Sequence, residues 1–114
     1  MMGKTTVDLN EPIVKATGAV LAFNEKDSRQ MEATACLRCG RCVENCPLGL
    51  DPTAFARAME LETEAEKVAA LNKANIKLCM ECGCCSYVCP AHRPLVQTNR
   101  EGLALAKKAA RAKR

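Results

Sequence analysis

All nine cysteines of this chain fall in two short runs. CLRCGRCVENCP (36–47) holds Cys36, Cys39, Cys42 and Cys46, and CMECGCCSYVCP (79–90) holds Cys79, Cys82, Cys84, Cys85 and Cys89. Shifted by 43 positions, the first run lies over the second: four cysteines meet four, Gly40 meets Gly83 and Pro47 meets Pro90. Cys84 meets Arg41 and is the surplus cysteine.

What repeats is C-x2-C-x2-C-x3-C-P, and the chemistry it suits is the ligation of iron–sulfur clusters. Three thiolates at three-residue spacing can wrap one [4Fe-4S] cube, because the short loop between them turns its backbone N–H groups toward the sulfides. Glycine between the second and third cysteines allows the close approach that a Cβ would hinder. The fourth cysteine lies too far round for the same cube; in two-cluster proteins it ligates the other one, and the proline after it turns the chain away. The expected ligands are therefore crossed. Cluster I takes Cys36, Cys39, Cys42 and Cys89, and cluster II takes Cys79, Cys82, Cys85 and Cys46.

The competing uses of cysteine fit less well. A zinc ribbon pairs two C-x2-C units and needs no third cysteine and no C-P. A disulfide scaffold belongs to an oxidising compartment, and MMGKTTVDLN shows no basic n-region followed by an apolar stretch. Cys84 reads as a small buried hydrophobe beside the cluster, and His92, the single histidine, as an exposed side chain.

Positioning these motifs falls to a thin core, with two Phe, one Tyr and no Trp in 114 residues. So small a core calls for a metal or cross-links, and the metal-free chain is expected to be largely unfolded. The linker DPTAFARAMELETEAEKVAALNKANIK predicts helices. Asp51 is a good N-cap with Pro52 at the first helical position, and Phe55, Ala58 and Met59 follow at helical spacing. Thr63 and Glu66 fit a capping box, with Ala65, Val68 and Leu71 or Asn72 along one side. Pro94 opens a third helix, from Leu95 to about Ala112. The fold expected is mainly α, an all-α ferredoxin domain over 31–114. Residues 1–30 form a separate segment, whose TTVDLNEPIVKATGAVLAF suggests short strands or an extended arm ending an upstream domain, followed by a polar connection, NEKDSRQM.

The formal charge of +4 is offset by two clusters of about −2 each with their thiolates, which leaves nucleic-acid binding without a basis. No apolar run reaches the roughly 18 residues of a membrane span. Arg38 and Arg41 lie in the first loop where Glu81 and Cys84 lie in the second, which predicts a higher potential for cluster I. Lys107, Lys108, Arg111, Lys113 and Arg114 make a basic tail suited to a helix C-terminus.

CLRCGRCVENCPLGLDP and CMECGCCSYVCPAHRPLVQ, with Cys84 included, resemble the ferredoxin domain of the C subunit of Rnf electron-transport complexes. The segment MMG…EPIVKATGAVLAF is similar to the one preceding the first motif in those subunits; QTNREG departs from their aromatic and aliphatic continuation. The resemblance implies a C-terminal piece of a longer subunit, peripheral on the cytoplasmic face of the cell membrane. It implies two [4Fe-4S] clusters, with FMN and NAD(H) held upstream, and electron relay in a ferredoxin:NAD oxidoreductase coupled to sodium or proton translocation. Its partners would be the other subunits and a redox partner such as ferredoxin or a flavin domain. The chain alone would be an electron carrier with no substrate site and no catalytic side chain. Alternatives are the related corrin reductase of bacterial microcompartments, a free-standing soluble dicluster ferredoxin, and a sensor of oxygen or iron.

Overall fold

The computed structural model describes residues 6–29 and 31–112. Met1–Thr5, Gln30, Lys113 and Arg114 lie outside them. The described chain divides into two compact units, one ending at Glu32 and one beginning at Ala33. No strand forms among the described residues.

The first unit turns at Leu9–Asn10 and Lys15–Ala16 and carries one helical turn, α1 (Glu25–Ser28), where a plain connection is expected. Asn24 Oδ1 caps that turn, accepting from the Asp27 N–H at 2.9 Å. Of the two expectations for this segment, short strands or an extended arm, strands do not form among the described residues. A strand needs a neighbour for its backbone N–H and C=O groups, and the described residues supply none. Every described residue of 6–29 is exposed, Val7, Leu9, Ile13 and Phe23 among them.

The second unit is helical. Its elements are α2 (Arg41–Glu44), α3 (Pro52–Met59), α4 (Glu64–Lys73), a 3-10 turn (Ile76–Leu78), α5 (Cys84–Tyr87) and α6 (Leu95–Ala112). The predicted signals start the helices where expected. Asp51 accepts from the N–H groups of Thr53 (2.8 Å) and Ala54 (3.1 Å), and Thr63 Oγ1 accepts from that of Glu66 at 3.3 Å. α6 begins one residue past Pro94, and Ser86 Oγ of α5 accepts from the Val96 N–H at 2.8 Å, fastening the second cysteine loop to it. Asn75, left-handed at φ 60°, stops α4, and the 3-10 turn buries Ile76 and delivers Cys79.

α3, α4 and α6 pack on one another around Phe55, Leu71, Ile76 and Leu103. Ala58 and Ala106 let the helices approach. Of the apolar side on α4, Leu71 is fully buried, Val68 is half-buried and Ala65 is exposed. In the basic tail Lys107, Lys108 and Arg111 are exposed, and Lys108 meets Glu64 at 3.7 Å. No helix is long and apolar enough to cross a membrane among the described residues.

Gly102 marks the closest approach. A Cβ there would stand 3.2 and 3.3 Å from the two δ-methyl carbons of Leu71 and 3.6 Å from Met59 Sδ. Gly102→Ala is expected near neutral, since about 1 kcal/mol of helix propensity offsets the crowding. Gly102→Val adds methyls with nowhere to go and should cost about 1–3 kcal/mol. Thermal melts of the iron-loaded variants check this; a Val variant as stable as the Ala variant would show that Leu71 yields freely.

Candidate functional site

Each cysteine motif begins with a loop whose backbone alternates in hand. Arg38 (φ 54°) and Gly40 (φ 77°) are left-handed, and so are their counterparts Glu81 (φ 56°) and Gly83 (φ 84°). A third pair repeats the pattern, Gly49 (φ 63°) and His92 (φ 50°). Alternation of this kind turns successive N–H groups inward and favours an anion in the concavity. One helical turn follows each loop, α2 or α5, and buries the third cysteine: Cys42 in the first, Cys85 in the second.

Two cavities result. The first is lined by Cys36, Cys39, Cys42 and Cys89 and holds about 590 Å³. The second is lined by Cys79, Cys82, Cys85 and Cys46, with Cys84 also on its wall. It is tight, holding about 20 Å³, room for roughly one water. A cluster there would have to move the surrounding thiols apart. The structure thus brings three cysteines of each motif together with the last cysteine of the other. None of the nine is in a disulfide. Among the described residues no three Cys, His, Asp or Glu side chains converge as a single-ion site requires.

α3 and the first turns of α6 form the wall that both cavities share. Ala56 of α3 and Leu95 of α6 face the first; Phe55 of α3 and Val96 and Asn99 of α6 face the second. The two helices start 43 residues apart, at Pro52 and Leu95, and the same offset sets Ala56 against Asn99, although no residue of 48–56 is identical to its counterpart.

The donor set suits iron–sulfur clusters. Burial pushes the Cys42 thiol up, and pushes that of Cys85 from 9.0 to about 11. A thiolate at either place therefore needs a positive partner, which bound iron supplies. The Cys84 N–H lowers Cys82, and the Leu50 N–H donates to Cys46 Sγ at 3.3 Å. Asn99 Nδ2 lies 3.8 Å from both Cys79 Sγ and Cys85 Sγ.

Three expectations change. Cys84 is exposed, because its place on α5 turns it away from the core; its thiol is raised by its hydrogen bond to Cys82. Arg38 and Arg41 are exposed, where water and salt screen them. Glu81 is paired with Arg100 at 3.1 Å, so the charge difference between the two loops is smaller than the sequence suggests. Asn99 and the Arg100 pairing carry no signal in the motifs themselves. Both sit on α6, a helix turn or more beyond the last cysteine, and only the docking of α6 brings them in.

Residues 32–93 match the family of 4Fe-4S dicluster domains, and the chain belongs to that family. Its curated relatives narrow the class. It is 41% identical over 52 residues to the C subunit of the ion-translocating oxidoreductase complex of Rhodobacter capsulatus, covering 46% of this chain and 10% of that one. The C subunit of the same-named complex from Buchnera aphidicola is 30% identical over 97 residues, 84% of this chain and 20% of its own. The C subunit of the proton-translocating ferredoxin:NAD(+) oxidoreductase complex of Clostridium ljungdahlii is 36% identical over 53 residues, 46% of this chain and 12% of its own. The chain thus spans no more than about a fifth of these relatives.

Asp51 holds the shared wall in place. Burial alone would push its carboxyl up. Donation from Thr53 and from the Ala54 N–H, with Arg57 nearby, outweighs this and holds it below its ordinary 3.8. Asp51→Ala should cost about 1 kcal/mol. The folded value is the lower one, so this stabilisation is complete above 3.8 and is lost as pH falls through the folded value. Melting temperatures of the wild type and Asp51→Ala should differ at neutral pH and converge in acid; a gap unchanged below 3.8 counts against the carboxylate as its source.

Proposed function

We propose that the chain is an electron-relay module holding two [4Fe-4S] clusters, one in each cavity. Cys36, Cys39, Cys42 and Cys89 ligate the first, and Cys79, Cys82, Cys85 and Cys46 the second. The observation that carries this reading is the exchange of last cysteines: Cys89 stands in the cavity of the first motif and Cys46 in that of the second. When bound, such clusters accept and return single electrons without proton or group transfer. The protein's own residues hold the thiols, aim backbone N–H groups at them and keep Cys42 and Cys85 away from water. α3, shared by both cavities, fixes the spacing between them.

Similarity to the C subunits supports a role for this module in an Rnf-type ferredoxin:NAD oxidoreductase, coupled to sodium or proton movement. It works as a peripheral part on the cytoplasmic face of the membrane, among the other subunits of the complex. FMN and NAD(H) belong to regions of such a subunit beyond this chain. The exposed Val7, Leu9, Ile13, Val20, Leu21 and Phe23 suit burial against further protein. Alone, the chain passes electrons and does not oxidise NADH.

Iron and sulfide analysis of the anaerobically loaded chain should give about eight of each, and EPR after reduction should show two interacting centres. The ligand exchange has its own test. With Cys36, Cys39 and Cys42 changed to serine, one cluster should remain, surviving Cys89→Ser and being lost with Cys46→Ser. The reverse pattern would mean that each motif keeps its own fourth cysteine.

A further inference from the structure

The two cavities are built on a similar plan and differ at several places on their shared wall, one of which sets a polar side chain against an apolar one. Facing the first is the methyl group of Ala56; at the matching place, facing the second, is the side-chain amide of Asn99. Asn99 is 2% exposed, and its Nδ2 reaches both Cys79 Sγ and Cys85 Sγ at 3.8 Å. Its Oδ1 is buried and has no hydrogen-bond partner. A core position that leaves an acceptor unpaired costs stability, and its neighbours Val96, Gly102 and Leu103 show that α6 otherwise buries apolar groups here. Packing therefore does not explain the amide. Its contact with sulfur does. The opposite amide orientation would set a carbonyl oxygen against two thiolates, so the N–H side is the one that faces them.

We propose that Asn99 sets the order of the two potentials: its amide donates to the thiolates of Cys79 and Cys85, which makes the cluster of the second motif the more easily reduced. The inference rests on the two-cluster reading above. Hydrogen bonds to cluster sulfurs favour the more negative, reduced state, and Ala56 has no donor to offer the first motif. The charges that favour the opposite order are weakened, since Arg38 and Arg41 are in solvent and Glu81 is neutralised by Arg100. Electrons entering the module then come to rest on the second motif, beside the tighter cavity.

An EPR-monitored redox titration of the anaerobically loaded full chain tests this. Asn99→Leu keeps the bulk and removes the donor, and should lower the upper of the two midpoints. At fixed solution potential the reduced-to-oxidised ratio of that cluster should fall about threefold or more. Ala56→Asn has the larger first cavity to occupy and should raise the lower midpoint. With Cys36, Cys39 and Cys42 changed to serine, the Asn99→Leu shift should persist. Unchanged midpoints in Asn99→Leu at full iron content would overturn the role of Asn99 alone, as would a shift that vanishes in the serine background. Should Asn99→Leu lose iron, an unmoved lower midpoint in Ala56→Asn overturns it instead. A wild-type chain holding far fewer than about eight irons would overturn the two-cluster reading and this inference together.

Discussion

The last cysteine of each motif leaves its own loop and stands in the cavity of the other, and the remaining structure accommodates that exchange. Cys46 packs beside Cys79 against the main core, while Cys89 packs with Cys42 and Leu95. For both to happen, the chain between the motifs must go out and return over a fixed distance. α3 and α4, packed on each other, make that excursion, and the 3-10 turn sets Cys79 down at its end. Under the proposed ligation, thiols from two distant stretches of sequence would tie those stretches together, which suits a domain with so few large side chains.

α3 carries more than packing. One side of it buries Phe55 toward the second cavity, and the next residue, Ala56, turns to the first. Helical periodicity makes this possible, since adjacent residues project about 100° apart. The helix is short, and Asp51 secures its start. Gly102 lets α6 settle close to Leu71, which in turn brings Asn99 to the sulfurs. Bulk beyond one methyl group at Gly102 would therefore bear on the position of Asn99 as well as on the core.

Much of this was legible in the residues, because the signals were local. Asp51-Pro52, Thr63 with Glu66, and Pro94 each start a helix through chemistry confined to one turn, and the cysteine spacing identifies the cofactor class by itself. The family match and the C-subunit relatives bear out the resemblance read from the motifs. The features that escaped depend on distant contacts. Val- and Ile-rich sequence in residues 6–23 favours strands, but a strand exists only with a partner. Cys84 looked apolar enough to bury, yet one turn of α5 places it outward. Arg100 and Asn99 meet Glu81 and the cysteines across about twenty residues of sequence, a pairing that no window along the chain contains.

The left-handed positions recur as 38 with 81, 40 with 83 and 49 with 92, and the last pair is glycine in one half and histidine in the other. Backbone shape matches between the halves where side-chain identity does not. Neither half lines a complete cavity from its own cysteines. A single half could close both only by exchanging its last cysteine with a second molecule, as a symmetric dimer. In a single chain the two halves supply each other's last cysteine without a second molecule. A single chain also frees each half from matching the other, and the amide at 99 opposite the methyl at 56 is a difference that a symmetric dimer could not hold.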